Sequence, residues 1–564
     1  MASRDLLRGT SGGMLSYGLV LAAMLAALIR RRAPVRTRWL SPLWSLPVLL
    51  LATLVISLAQ ALLYLPPPLQ PVLGLLLTLA VGYVAGSYLA RLRFYHDAMR
   101  FRRGAVVTSA LPDASSFEVG TSLTLAGVCI PPADETKHFK LIGATGTGKS
   151  TAIRELLGGA LARGDRAVIA DPDGGYLARY YNPARGDVIL NPFDPDAHRW
   201  DLFSEINHPY DVEQLARALI PDQAGDSTWP GYARTLFSGV THQLLKANLP
   251  DQRELYRLLV KADQRELRSL LAGTVAGPFL EVGNEKMLGS TRSVMSAALS
   301  PLDYTIEQNA DAFSVRGWIR RAPLTATTAL KAPAASQGIL FLPYKAGEIA
   351  ALRGLISAWM RLAIFEAMSG DERDQRLWFI VDELDALGQI DGLKDALARL
   401  RKFGGCCVLG FQSIAQVSAT YGRGNADTIV ENCANTLILR CSASEHGGTA
   451  EFASRLIGQR EVVHTQRSRT RNPGRFLPSV TSTDQLRTEP AVLASEIERL
   501  PDLTGYLKLA SRPDWSCVAL TPVDEPIQPR TRTTPSASEP EPSAACAAAL
   551  PTSTAAPAAP STEP

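Results

Sequence analysis

The eight residues Gly143-Ala144-Thr145-Gly146-Thr147-Gly148-Lys149-Ser150 match the spacing G-x-x-x-x-G-K-[ST] without departure, and Thr151 follows directly. Glycines in this pattern let backbone N–H groups turn inward around phosphate oxygens. Lys149 then supplies a point charge for the β- and γ-phosphates, and the Ser150 hydroxyl is a ligand for Mg²⁺. The stretch from Gly143 to Thr151 is the candidate nucleotide-binding segment, with ATP and Mg²⁺ as its expected ligands. Hydrolysis needs a second, acidic contribution, and Asp382-Glu383 supplies one. Asp382 suits magnesium, directly or through a ligand, and Glu383 is placed to polarise the attacking water. Gln412 closes another apolar run, where it would lie near the γ-phosphate and register its presence. An ordinary surface glutamine is the alternative.

These side chains need rigid elements behind them. Phe139–Ile142 reads as a short strand running into the glycine loop, and Ile153, Leu156, Leu157, Ala160 and Leu161 follow at helical spacing until Gly164 closes the helix. Phosphates would then sit at a helix N-terminus, where the dipole favours anions. Leu377–Val381 is wholly apolar and runs straight into the acidic pair, as a strand buried on both faces requires. Residues 406–411, 167–170, 188–190 and 338–342 read as further strands, and the first holds the adjacent Cys406 and Cys407. With helices between them, they make an α/β fold built on a mostly parallel, doubly wound sheet. Ligands gather at the carboxyl ends of such strands. Between residues 190 and 338 strand character nearly vanishes. Leu215, Ala218 and Leu219, then Leu244 and Leu245, then Leu255, Leu258 and Leu259, then Leu267, Leu270 and Leu271 mark amphipathic helices. Residues 204–325 are therefore expected to form an inserted all-α domain.

At 564 residues the chain should hold more than one domain. Its net charge of +4 is unremarkable for that length, so any nucleic acid must meet a local basic patch. Seven scattered cysteines without a CxxC pair or a zinc-like His/Cys cluster point to a reduced, cytosolic body without structural metal. The first ninety residues are far more apolar than the rest. Residues 10–29, 43–65 and 69–90 each supply about 20 largely apolar, uncharged positions, enough to cross a bilayer. Arg30, Arg31, Arg32, Arg36 and Arg38 follow the first, and Arg91, Arg93, Arg100, Arg102 and Arg103 follow the third, whereas Pro66-Pro67-Pro68 is uncharged. The positive-inside rule then puts the N-terminus and the proline turn outside and the remaining chain in the cytoplasm. A cleaved signal peptide is the alternative for the first span, but it lacks a convincing small-residue cleavage site and ends on three arginines. Gly82-x-x-x-Gly86 can bring helices close together, although ordinary glycines of a membrane helix are the plainer reading.

Toward the C-terminus, Arg460, Arg467, Arg469, Arg471 and Arg475 are set against one acid, Glu461. The stretch lacks apolar periodicity and contains Asn472-Pro473-Gly474, so it reads as a loop. Such a loop can track DNA phosphates; a merely solvated charged loop is the alternative. Past about residue 528 the chain is mostly Pro, Ala, Ser and Thr and is expected to be disordered.

Up to about residue 522 the chain resembles the conjugative coupling proteins of the TraD/TrwB kind. Beyond the nucleotide motifs, the likeness is carried by Ile189-Leu-Asn-Pro-Phe-Asp194 with Trp200-Asp201, by Trp378-Phe-Ile-Val-Asp-Glu-Leu384 and by Arg401-Lys-Phe-Gly-Gly405. Phe411-Gln-Ser-Ile-Ala-Gln416 and Leu500-Pro-Asp-Leu-Thr504 extend it. The resemblance implies a membrane anchor over residues 1–103 and a RecA-like P-loop domain over 104–203 and 326–527, with the all-α domain inserted and a tail over 528–564. It implies a homo-hexamer embedded in the lipid of the bacterial inner membrane, with its motor domain in the cytoplasm. Such a ring receives single-stranded DNA bound to a relaxase, within the relaxosome, and uses ATP to pump it toward the components of the type IV secretion channel. It further implies that Arg401 reaches a nucleotide held by the neighbouring subunit; capping the preceding helix is the alternative. Many relatives have two spans around a periplasmic domain, whereas three spans with a tiny proline link are predicted here. Two other readings stay open. One is a double-stranded DNA translocase similar to the FtsK kind, although a winged-helix reader is lacking at the C-terminus. The other is a receptor ATPase for secreted protein effectors, which motor motifs cannot distinguish.

Overall fold

A computed structural model describes residues 2–31, 38–63, 66–93, 99–108, 123–222, 228–320, 338–369, 376–444, 447–470 and 479–522. The tail past 528, together with Arg471 and Arg475, lies outside the described residues. In chain order the strands are β1 (Met99–Gly104), β2 (Val107–Thr108), β3 (Thr124–Leu125), β4 (Val128–Cys129), β5 (Phe139–Ile142), β6 (Arg166–Pro172), β7 (Val188–Ile189), β8 (Arg199–Trp200) and β9 (Ala312–Phe313). They continue with β10 (Ile339–Tyr344), β11 (Leu377–Val381), β12 (Gly405–Phe411), β13 (Asn435–Ile438), β14 (Gln459–Thr470), β15 (Ser479–Pro490), β16 (Thr504–Lys508) and β17 (Trp515–Ala519).

The main sheet has the order β2-β17-β16-β13-β5-β12-β11-β6-β10-β7. From β13 to β7 every pairing is parallel, while β16 runs antiparallel to both β13 and β17. Strands β5, β11 and β12 are buried along their whole length, which is why β11 and β12 are apolar without alternation and the one charge of β5, Lys140, donates to the Val430 and Cys433 carbonyls. Cys406 and Cys407 are among these buried residues. On one face of the sheet, Ile153, Leu156 and Leu157 of the helix Lys149–Arg163 pack against Leu141, Ile169 and Ile380. That helix ends where glycine was expected to stop it, Gly164 adopting φ 89°.

The opposite face carries the helical segment. Between β8 and β9, which pair in parallel, lie the helices Pro209–Leu219, Thr228–Lys246, Gln252–Tyr256, Gln264–Leu270 and Glu285–Glu307. Their buried Leu215, Leu236, Phe237 and Leu299 belong to the same continuous core as Leu340 of the sheet and Leu355 of the helix Ile349–Ala367. The segment is therefore packed onto the sheet. The buried carboxylate of Glu205 closes its neck, accepting hydrogen bonds from the Trp200 indole at 2.8 Å and from the Val315 and Arg316 amides at 2.6 and 3.0 Å. These amides open the helix Val315–Arg320, whose dipole favours an anion there.

Three helices begin the chain: Ala2–Arg30, Ser41–Leu63 and Gln70–Arg93. Among the described residues, Ser41–Leu63 and Gln70–Ala90 are long and apolar enough to cross a bilayer, and the apolar part of the first, Leu15–Arg30, is shorter. Leu50, Leu54, Leu58 and Leu62 stand exposed along the second helix, as a lipid-facing surface would. Gly82 and Gly86 differ from the plainer reading of them, because both lie at a helix–helix contact. A Cβ on Gly86 would come within 2.6 Å of the Met24 carbonyl oxygen, and one on Gly82 within 2.9 Å of that of Val20. Two small residues one turn apart let the backbones of the first and third helices approach this closely.

Over its described residues, 460–470, the basic stretch is a strand and not a loop. Gln459–Thr470 forms β14 and pairs antiparallel with β15 along twelve residues and with β1 on its other side, giving a separate sheet in the order β1-β14-β15. Both faces of this hairpin are largely polar, so no alternation betrayed its strands. Arg460 pairs with Glu489 at 2.8 Å, and Glu461 with Arg103 at 2.7 Å.

Candidate active site

The glycine loop spans from the end of β5 to the helix Lys149–Arg163. The Gly143 amide donates to the Phe411 carbonyl at 3.1 Å and the Ala144 amide to the Arg440 carbonyl at 2.8 Å, so the ends of β12 and β13 fix the loop's entry. Gly148 turns into the helix at φ 117°, a backbone state that a side chain disfavours. The Lys149 ammonium, largely buried, donates to the carbonyls of Gly143 and Ala144 at 2.7 and 3.1 Å. Burial lowers its pKa, against the pull of the Asp382 and Glu383 charges.

Strand β12 lies between β5 and β11. Consequently the loop, the acidic pair and Gln412 share one end of the sheet, as the strand-end rule anticipates. Ser150 Oγ donates to Asp382 Oδ2 at 2.7 Å. Thr145 Oγ1 donates to Gln412 Oε1 at 3.1 Å, and Gln412 Nε2 donates to Glu383 Oε1. Gln412 thus bridges the loop and the acidic pair and is no free surface side chain. Burial, with Asp382 and Asp385 nearby, raises the Glu383 pKa. Gly410 makes the close fit possible, because a Cβ there would fall 1.9 Å from the Asp382 carbonyl oxygen.

Hydroxyl and carboxylate oxygens in direct contact at Ser150 and Asp382 fit the hard-oxygen preference of Mg²⁺, which uses one or two protein oxygens and keeps waters. The turn after β6 adds residues that the motifs did not reveal. Tyr176 Oη donates to the same Asp382 oxygen at 2.9 Å. Asp171, its pKa pushed up to about 6 by burial, accepts the Tyr176 and Leu177 amides at 3.1 and 2.7 Å. Tyr344, at the end of β10, is buried beside these acids, and its hydroxyl has no hydrogen-bond partner among the described residues. In the sequence, Asp171-Pro-Asp-Gly directly after the strand read at 167–170 is the signal that points here.

Arg401 is not brought into this group. It is exposed, follows the helix Leu393–Leu400 and precedes β12 at the end opposite Gln412. Seven strand residues span roughly 20 Å, too far for a side chain to return to its own P-loop. The arginines of the basic stretch are apart as well: Arg460, Arg467 and Arg469 sit on β14, in the separate sheet.

The sequence profile of the type IV secretion-system coupling protein DNA-binding domain matches residues 122–521. The chain is 31% identical over 379 residues to the coupling protein TraD of Escherichia coli strain K12, covering 66% of this chain and 51% of TraD. It is 25% identical over 353 residues to an Escherichia coli conjugal transfer protein, TraG, covering 56% and 52%. The chain spans about half the length of these curated relatives. Among solved structures it is similar to the unbound bacterial conjugative coupling protein TrwBdeltaN70, with a TM-score of 0.66 at 32% identity over 76% of this chain and 96% of that one. It is similar, too, to the plasmid coupling protein TrwB in complex with ADP and Mg²⁺, with a TM-score of 0.65, 32% identity and the same coverage.

Proposed function

Because this chain belongs to the family of type IV secretion-system coupling proteins, we propose that it binds ATP with Mg²⁺ and hydrolyses it to move single-stranded, relaxase-bound DNA toward a conjugative channel. The observation that carries this is the chain of contacts Thr145–Gln412–Glu383 beside Ser150–Asp382. It ties a phosphate-binding loop to a carboxylate suited to activate water. The loop amides and Lys149 hold the phosphates, and Ser150 with Asp382 would hold the metal. Magnesium, when bound, offsets negative charge on the β- and γ-oxygens. Glu383, with its pKa raised, accepts a proton from the attacking water. Gln412 couples the loop to that base, and Arg401 of an adjacent copy completes the site. The TrwB structures with ADP and Mg²⁺ and with the non-hydrolysable ATP analogue ADPNP support the ligand assignment.

The same reading makes the protein a homo-hexamer anchored in the bacterial inner membrane through its N-terminal helices, with the motor in the cytoplasm. The inserted helices over 204–325 form its all-α domain. Strand β14 and the residues that follow it in sequence, with Arg460, Arg467, Arg469, Arg471 and Arg475, provide the basic track for DNA. Relaxase and channel components are its partners.

Two substitutions test the core of this proposal. Lys149→Ala is expected to weaken nucleotide binding, measured by titration with a fluorescent ATP analogue. Glu383→Gln is expected to retain binding and to lower DNA-stimulated turnover by on the order of 10²-fold or more. Equal loss of nucleotide affinity in both variants contradicts the assigned roles.

A further inference from the structure

Building on the magnesium–nucleotide reading above, we propose that Tyr176, held by the Asp171-capped turn after β6, is a positioning residue that fixes the Asp382 carboxylate for the metal. Asp382 is almost wholly buried at the end of β11, and its Oδ2 atom receives two donors, Ser150 Oγ at 2.7 Å and Tyr176 Oη at 2.9 Å. Two donors converging on one oxygen from different elements prevent the carboxylate from rotating. Its other oxygen then keeps a single heading.

The turn that delivers Tyr176 is built for the purpose. Asp173 and Gly174 both take left-handed conformations, φ 57° and 68°, and fold the chain back over the end of β6. Asp171 receives the amides of Tyr176 and Leu177, one on each carboxylate oxygen. The Arg154 guanidinium, from the helix after the glycine loop, lies 6.0 Å from the centre of the Tyr176 ring. The phenol is 2% exposed, so its hydroxyl has been withdrawn from water and given to one acceptor. A buried hydroxyl is placed this way at a cost in desolvation that its hydrogen bond must offset. Partners that orient metal ligands typically contribute 10- to 100-fold in metal affinity.

The test uses the full chain in detergent, with Mn²⁺ in place of Mg²⁺ so that free metal is counted by electron paramagnetic resonance in the presence of ADP. Tyr176→Phe is expected to raise the Mn²⁺ concentration for half-saturation by roughly 10- to 100-fold, while ADP affinity in EDTA stays at the wild-type value. Coincident Mn²⁺ curves overturn the proposal. So does an equal fall in metal affinity and in EDTA affinity, which would mean a collapsed site and no role specific to the carboxylate. If the phenylalanine variant does not fold, Asp171→Asn serves as the second arm, since it loosens the turn while retaining one acceptor. It must weaken Mn²⁺ binding without weakening ADP in EDTA, and unchanged Mn²⁺ binding again overturns the proposal. Absence of any metal-dependent ADP binding in the wild type would instead sink the magnesium–nucleotide reading itself.

Discussion

Gln412 shows what a single residue gains from its surroundings. As a letter after an apolar run it left an ordinary surface side chain as the alternative. Placed on β12 between the glycine loop and the acidic pair, it holds Thr145 with one end and Glu383 with the other. His138 is the structural counterpart, a histidine outside any motif. Its Nδ1 accepts the Cys407 amide at 3.1 Å, so Nε2 carries the proton and donates to the Leu397 carbonyl at 2.8 Å. Burial, with the nearby Arg401 charge adding to it, lowers its pKa from 6.5 to about 4. The folded state thus prefers neutral histidine. Its contribution is fully present above pH 6.5 and is lost as pH falls toward 4, a swing of about 3 kcal/mol. Asp171 has the opposite sign over the same range, its raised pKa favouring the fold at low pH until about 6. A difference measurement separates the two. Relative to wild type, His138→Asn is expected to lose less melting temperature between pH 6.5 and 4, read by thermal unfolding of the detergent-solubilised protein. Parallel curves would assign the acid sensitivity elsewhere.

At the scale of elements, the hairpin β14–β15 is the feature that periodicity missed. A lone hairpin is marginal in water, and β1 adds the third strand that supports it. Since β1 follows the helix Gln70–Arg93 after five residues, the whole sheet is tethered near the end of a helix suited to span the membrane. Arg460, Arg467 and Arg469 therefore lie along an extended arm with a defined root, and Arg471 follows them in sequence. If that arm tracks DNA phosphates, replacing Arg467, Arg469 and Arg471 together with Ala removes about three contacts. The slope of log affinity against log salt for single-stranded DNA should then fall by about 2. An unchanged slope, measured by fluorescence anisotropy across a salt series, would make the arm a solvated surface. The close approach of the first and third helices at Gly82 and Gly86 belongs to this scale as well, because it depends on side chains that are missing from both positions.

Across the whole molecule, the strand β12 separates Gln412 from Arg401. Gln412 stands with the P-loop, while Arg401 lies at the far end of the same strand, exposed. One chain cannot bring them together, but a ring of copies can. Lys149→Ala subunits keep the arginine and lack a working P-loop, and Arg401→Ala subunits are the reverse. Mixing the two inactive proteins is expected to restore measurable DNA-stimulated ATPase, since some interfaces then hold both intact parts. Such fingers are worth roughly 10³–10⁵ in rate, so even a few repaired interfaces stand above the background. Mixtures that stay inactive at every ratio, while cross-linking shows mixed rings, would return Arg401 to a helix-capping role.

Much of this protein was legible in the sequence because certain requirements are local. A phosphate loop needs its glycines, lysine and serine in one run, and Gly143–Ser150 shows them without any fold. Strands buried on both faces are apolar throughout where no polar partner waits, so β11 and β12 announced themselves, and the expected α/β class with inserted helices followed. Long apolar helices near the N-terminus were equally plain. What only the tertiary structure decided are relations between distant segments: β12 standing between β5 and β11, and Tyr176 reaching Asp382 across 206 positions. The polar hairpin against β1 and the seating of Gly86 on Met24 are of the same kind. Local sequence records which surfaces a segment must bury. Which partner buries them is set by packing across the whole chain, and a polar hairpin or a lone tyrosine carries no periodic trace of its partner.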